Sequence, residues 1–161
     1  MSSQSYIKIR DIPSILGVKG GEVLWIASDL TRLTLQAIRN EGGFHPDVLL
    51  DSFLNAVGPE GTLVIPAFNF NLRSGDVFDL RPTVPVTGVL ADAAMKRRDF
   101  RRTSHPLHSF LVAGKYSGEL MRLGNRSSFG PDSPFAFLRE HDAGMLLIGT
   151  TVAASFTFVH H

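Results

Sequence analysis

Two histidines, His160 and His161, close the run Ser155-Phe156-Thr157-Phe158-Val159, which follows an apolar segment over residues 145–149 with the composition of a buried strand. Open α/β sheets place their chemistry at the carboxyl ends of strands. An imidazole titrates close to neutrality, so it can accept or release a proton under ordinary conditions. His160 is therefore the first candidate for acid–base chemistry, weighed against a fragment of a purification tag or a frayed end. Two imidazoles are too few for a tag, and no linker separates them from Phe158 and Val159.

Three further segments carry groups able to bind or react. Arg101-Arg102-Thr103-Ser104-His105-Pro106-Leu107-His108-Ser109 packs guanidiniums, hydroxyls and imidazoles beside an expected strand. Arginine forks suit phosphate oxygens. The pair His105 and His108 has a ligand-like spacing, but zinc takes at least three protein ligands and no third is evident nearby, so no metal is expected. Ser28-Asp29-Leu30 stands where a strand should hand over to a helix, and free amides there would favour an anion such as a phosphate. An ordinary helix cap explains the same three residues, and the Asp29 carboxylate would oppose a bound anion unless it points away. Phe129-Gly130-Pro131-Asp132-Ser133-Pro134 is a turn in which Asp132 or Ser133 can cap a following helix. No serine sits in a Gly-x-Ser-x-Gly elbow, which leaves a serine hydrolase unsupported.

The elements that must position these groups can be read from periodicity. Val23-Leu24-Trp25-Ile26-Ala27 is a continuous apolar run suited to a strand buried on both faces. Leu30, Leu33, Ala37 and Ile38 recur at helical spacing, predicting a helix over residues 30–39 that ends at Gly42-Gly43. A second amphipathic helix is expected over residues 46–57, stopped by Gly58-Pro59. Residues 62–68 read as a strand delivering Phe68 and Asn69 to a polar and aromatic loop. Residues 73–85 read as a long loop, and such loops are often binding segments or plain surface excursions. Helices are expected over residues 89–96, 117–123 and 134–141, with strands over 109–113 and 145–149. Alternating strands and helices predict an α/β layered sheet with flanking helices, and the 161 residues are the size of one domain, taken as residues 1–161.

Composition narrows the classes of function. The formal net charge is +1, so a general nucleic-acid footprint is weak, although Lys96-Arg97-Arg98 and Arg101-Arg102 could meet a phosphorylated cofactor. Cysteine is absent, which removes disulfides, thiolate metal sites and a cysteine nucleophile. No secretion signal opens the chain and no apolar run is long enough to cross a bilayer, predicting a soluble cytoplasmic protein with no membrane partner.

Taken in order, these pieces resemble the aminoglycoside 3-N-acetyltransferase family, the antibiotic acetyltransferases whose fold differs from that of the GNAT enzymes. The resemblance covers nearly the whole chain from about Ile12. It rests on Ser28-Asp29-Leu30, Gly58-Pro59-Glu60-Gly61-Thr62-Leu63-Val64-Ile65-Pro66, and Phe78-Asp79 followed by Thr83, Pro85 and Gly88. It continues through Arg102-Thr103-Ser104-His105-Pro106-Leu107-His108-Ser109, Gly114, Phe129-Gly130-Pro131-Asp132-Ser133-Pro134 and Leu146-Leu147-Ile148-Gly149.

The resemblance implies acetyl-CoA as cosubstrate and a small amine as acceptor, with a homo-oligomer left open and no metal or nucleic acid. Thr157 and His160 match the first two places of the family's catalytic pattern of threonine, histidine and glutamate. It therefore implies that His160 is the general base, with the glutamate place beyond residue 161. It further implies that Ser28, Asp29 and Leu30 meet the pantetheine or pyrophosphate of CoA, that Arg102, Ser104 and His105 contact the same cofactor, and that Phe68 and Asn69 line the acceptor side. Family members usually carry a histidine where this chain has Ala27, and they continue for roughly a hundred residues more, enough for a further subdomain. The fold is accordingly expected to be incomplete at the C-terminus. Details such as Ser-Phe-Thr-Phe-Val-His resemble a branch found with surface-polysaccharide biosynthesis, which favours an amino sugar as acceptor, an aminoglycoside antibiotic being the runner-up. The alternative is a truncated, non-catalytic remnant that still binds CoA.

Overall fold

The runs over residues 23–27, 63–66 and 110–113 are apolar and buried throughout because both faces of the sheet they build are covered. In the computed structural model, which describes residues 6–155, a 3-10 turn Ile9–Asp11 and a helical turn α1 (Ile12–Ile15) lead into β1 (Val23–Ser28). There follow α2 (Thr31–Glu41), α3 (Pro46–Val57), β2 (Thr62–Pro66), α4 (Val89–Lys96), β3 (Arg101–Arg102), β4 (Phe110–Gly114), α5 (Ser117–Leu120), α6 (Pro134–Glu140), β5 (Gly144–Ile148) and α7 (Val152–Ser155). Thr157 and His160 lie outside the described residues.

The five strands form one sheet in the order β3-β4-β2-β1-β5. β1 runs parallel to β2 and β5, while β4 is antiparallel to both β2 and β3. Side chains alternate across a strand, and here the alternation sorts two cores. Leu24, Ile26, Leu63, Ile65, Leu111 and Ala113 face Leu49, Leu50 and Phe53 of α3 and Leu90 and Ala94 of α4. Val23, Trp25, Val64, Phe110 and Val112 face Leu120 of α5 and Phe135 and Leu138 of α6.

Most element expectations hold within a residue or two. Differences have local causes. The first long helix begins at Thr31 rather than Leu30, because the Asp29 carboxylate accepts the Thr31 amide and ends the extended chain there. The second strand stops at Pro66, two residues before Phe68. Serine 133 caps α6 as expected, its Oγ accepting from the Ala136 amide at 3.2 Å.

Residues 69–88 form no helix or strand, but their base is stapled. Val86 donates its amide to the Phe68 carbonyl at 2.8 Å, and the Thr87 hydroxyl donates to the Pro66 carbonyl at 2.6 Å. Two close approaches demand glycine at the other end of β2. A Cβ on Gly61 would sit 2.5 Å from the Val57 carbonyl, and one on Gly114, whose φ is +115°, would sit 2.3 Å from the Gly61 carbonyl.

Candidate functional site

The carboxyl ends of β1 and β2 open beside the first turns of α2 and α4, and the four elements enclose a cavity of ≈ 780 Å³. β1 is terminated by a handover rather than by a glycine-rich loop. Asp29 donates its amide to the Ile148 carbonyl at 2.8 Å, so the last bond of the β1–β5 ladder belongs to the residue that starts the turn. Gly149 then passes so close that a Cβ there would lie 2.1 Å from the Asp29 carbonyl oxygen, with φ at +67°.

Ser28, Asp29 and Leu30 all line this cavity. Asp29 Oδ1 accepts the Thr31 amide at 3.0 Å. The Thr31 hydroxyl and then its amide hold the exposed Asp29 carboxyl below the usual carboxylate range. The amino end of α2 thus already carries a negative charge from its own chain. A second anion placed there would meet that carboxylate, whereas a neutral chain of amides would not.

Phe68 lines the cavity too, and its ring stands edge-on to Phe110 at 5.2 Å and to His108 at 4.9 Å. Phe70, 59% exposed, extends the aromatic wall. Asn69 is buried and does not line the cavity: its side-chain amide donates to the Val84 carbonyl at 3.2 Å and its oxygen accepts the Asn71 amide. It closes the loop that follows Phe68.

Arg102 is buried and directed at the protein itself. Its Nε donates to Ser109 Oγ at 2.9 Å, one terminal nitrogen to the Ala67 carbonyl at 2.9 Å, and the other to the Thr83 carbonyl. Its guanidinium also lies 5.0 Å over the Phe78 ring, and burial pulls its pKa below the usual arginine value. These contacts join β3 to the end of β2 and to the long loop. Ser104 is exposed, and together with Arg102 it lines a separate groove of ≈ 750 Å³ that the carboxyl-terminal end of α4 borders.

His105 lines neither space. Its buried Nδ1 accepts the amides of Leu107 (3.2 Å) and His108 (3.1 Å), which requires that nitrogen to be unprotonated. Its Nε2 therefore carries the proton and faces Ser128 Oγ at 3.4 Å, and Ser128 in turn meets His108 Nδ1 at 2.7 Å. Burial lowers the His105 pKa. The two imidazoles are joined through a serine twenty residues away in sequence, and among the described residues no group of three potential metal ligands occurs.

The structure thus brings Ser28, Asp29, Leu30 and Phe68 into one cavity and sets Arg102 and Ser104 on another. Ala154 and Ser155 of α7 also line the first cavity, five positions before His160 in sequence. Sequence reasoning missed Thr87, Gly88, Val89 and Leu90, and the face of α2 carrying Thr31, Thr34 and Leu35. The signal for the former is the pair Thr87-Gly88 directly before a helix, of which Gly88 enters the resemblance above without a site role.

Comparison with known proteins follows the same outline. The sequence pattern of the aminoglycoside 3-N-acetyltransferase family matches residues 30–161. Aminoglycoside N(3)-acetyltransferase IV of Salmonella sp is 31% identical over 149 residues, covering 88% of this chain and 52% of that protein. The chain therefore spans about half the length of that curated relative. Among solved structures, aminoglycoside acetyltransferase AAC(3)-Xa superposes with a TM-score of 0.77 at 26% identity, covering 95% of this chain and 58% of that one. AAC-IIIb, solved as a binary complex with CoASH, shares the fold with a TM-score of 0.77 at 21% identity, covering 95% of this chain and 62% of that one.

Proposed function

The chain belongs to the aminoglycoside 3-N-acetyltransferase family, and from that premise we propose that it serves acetyl-CoA-dependent N-acetylation of an amino group carried on a sugar. The observation that carries this reading is the cavity itself, with Ser28, Asp29 and Leu30 on one wall and Phe68 and Phe70 on another. Acetyl-CoA, as cosubstrate, supplies the acetyl group as a thioester. Its arm of neutral amides is the part suited to the Ser28–Leu30 wall, where the Asp29 carboxylate already occupies the start of α2. The structure of AAC-IIIb with CoASH supports the same choice of cosubstrate.

His160 is the general base of this reading. It stands five positions after Ser155, which lines the cavity, and five extended residues reach about 18 Å at most. The imidazole removes the proton from the amine as the N–C bond forms and the C–S bond breaks, and that proton leaves with the thiol. Thr157 accompanies it in the family pattern.

Asp29 is the only charged residue lining the cavity among the described residues. Aminoglycoside antibiotics carry several ammonium groups, and a single carboxylate gives them little electrostatic complementarity. An amino sugar with one amine suits this wall better, with the aromatic faces of Phe68 and Phe70 against the ring. Acetyl transfer from acetyl-CoA to a panel of amino sugars and aminoglycosides, measured by thiol release, tests the reading. His160→Ala should lower the rate about a hundredfold or more. An unchanged rate would defeat the assignment of the base, and binding of acetyl-CoA without turnover on any amine would favour a non-catalytic CoA-binding role.

A further inference from the structure

Among the described residues, the groove at the carboxyl-terminal end of α4 is lined by five arginines, Arg81, Arg97, Arg98, Arg101 and Arg102, and by no carboxylate. Two of these are satisfied by the protein. Arg97 is held by Asp47, Asp51 and Asp99 at 3.4, 2.7 and 2.6 Å, and Arg102 by the carbonyls described above. The other three are exposed, and among the described residues none has a carboxylate within 4.0 Å. In a chain whose net charge is +1, this is a local concentration of unscreened positive charge inside a concavity, which focuses the field on whatever enters. The floor between the guanidiniums is apolar, formed by Met95, Leu111 and Met121, and Ser104 adds a hydroxyl at the rim.

We infer that this groove binds the pyrophosphate of a nucleoside diphosphate group through Arg81, Arg98 and Arg101. Guanidinium forks match phosphate oxygens in pairs, and three of them exceed what one carboxylate or one monophosphate would use. The volume of ≈ 750 Å³ is that of a small-molecule site, and an apolar floor beside cationic walls suits a nucleoside joined to a diphosphate. The inference rests on the proposed acetyl transfer for its choice between sources. The diphosphate belongs either to the nucleotide end of the acyl donor or to a nucleotide-linked amino sugar.

Calorimetric titration of the 161-residue chain with inorganic pyrophosphate and with UDP, at low ionic strength, tests the groove directly. Binding is expected, weakened about tenfold or more by Arg98→Ala with Arg101→Ala and unaffected by Arg39→Ala on α2. Arg98 and Arg101 are exposed and, among the described residues, carry no ion pair, so the double variant should melt with the parent chain. If CoA displaces UDP while pantetheine does not, the donor is the source. If CoA and UDP bind together, the ligand is a separate nucleotide. Absence of pyrophosphate binding, unchanged affinity in the double variant, or arginine-dependent binding of only an RNA duplex or an acidic polypeptide would overturn the inference. Acetyl transfer that fails while pyrophosphate still binds would remove the proposed activity and leave the groove assignment standing.

Discussion

Arg102 is a buried cation whose hydrogen bonds, among the described residues, go to carbonyls, a hydroxyl and the Met95 sulfur rather than to a carboxylate. Such a group is tolerated because its donors are met by carbonyls, one of which, Ala67, it shares with the Ser109 hydroxyl at 2.7 Å. Arg102→Ala takes the side-chain donor from the Thr83 carbonyl and leaves Ala67 with the Ser109 hydroxyl alone, and should cost about 2 kcal/mol in urea unfolding. Arg102→Lys should recover only a minor part, since a point ammonium does not span three directions. His105 is the second residue whose role can be checked alone. Burial lowers its pKa in the folded state, so below the ordinary imidazole value of about 6.5 the unfolded chain binds the extra proton first. Stability should therefore be intact above that pH and fall as the pH drops through it toward the folded value. His105→Asn, whose side-chain oxygen can still accept the Leu107 and His108 amides, should flatten that slope in melts taken between pH 7 and 5.

Elements with a strong period were legible in the sequence; those made by contact were not. The run from Val23 to Ala27 reads as a doubly buried strand because Leu24 and Ile26 go to one core and Trp25 to the other. β3 escapes such reading, since Arg101 and Arg102 become a strand only by pairing with Val112 and Leu111. α7 is a four-residue turn of small side chains whose pattern carries no period. The start of α2 was displaced by one residue because propensity ranks Leu30 as helical while the Asp29 carboxylate fixes where the amides are first free. At this scale Gly149 is the sensitive point of β5. Gly149→Ala forces a Cβ onto the Asp29 carbonyl in a left-handed backbone, so β5 must withdraw. Amide exchange should accelerate at Asp29 and along the β1–β5 ladder, while the β2–β4 ladder keeps its protection.

At the scale of the molecule, the candidate site was only half visible before the fold was known. The ends of β1 and β2 stand out because each run of apolar residues stops at polar or aromatic ones. The start of α4, Val89, joins them from well beyond the end of β2 at Pro66 through the stapled loop, a convergence that no local pattern announces. Likewise His105 and His108 read as a possible metal pair until Ser128 arrives from the other side of α5 to join them. Charge also separates with the fold: the arginines clustered in sequence divide into Arg97 and Arg102, consumed by structure, and Arg98 and Arg101, turned outward into the groove.

The contact between Asp29 and the end of β5 has a consequence of a metrological kind. The Asp29 amide is bonded to Ile148, its carbonyl sets the clearance of Gly149, and its side chain fixes where α2 begins. The wall at Ser28–Leu30 and the chain that runs on from Gly149 to Ser155 are therefore both dimensioned from one datum. A displacement of that reference shifts the two walls together and leaves their spacing unaltered, whereas a disturbance of either alone alters the gap across which a group would be passed.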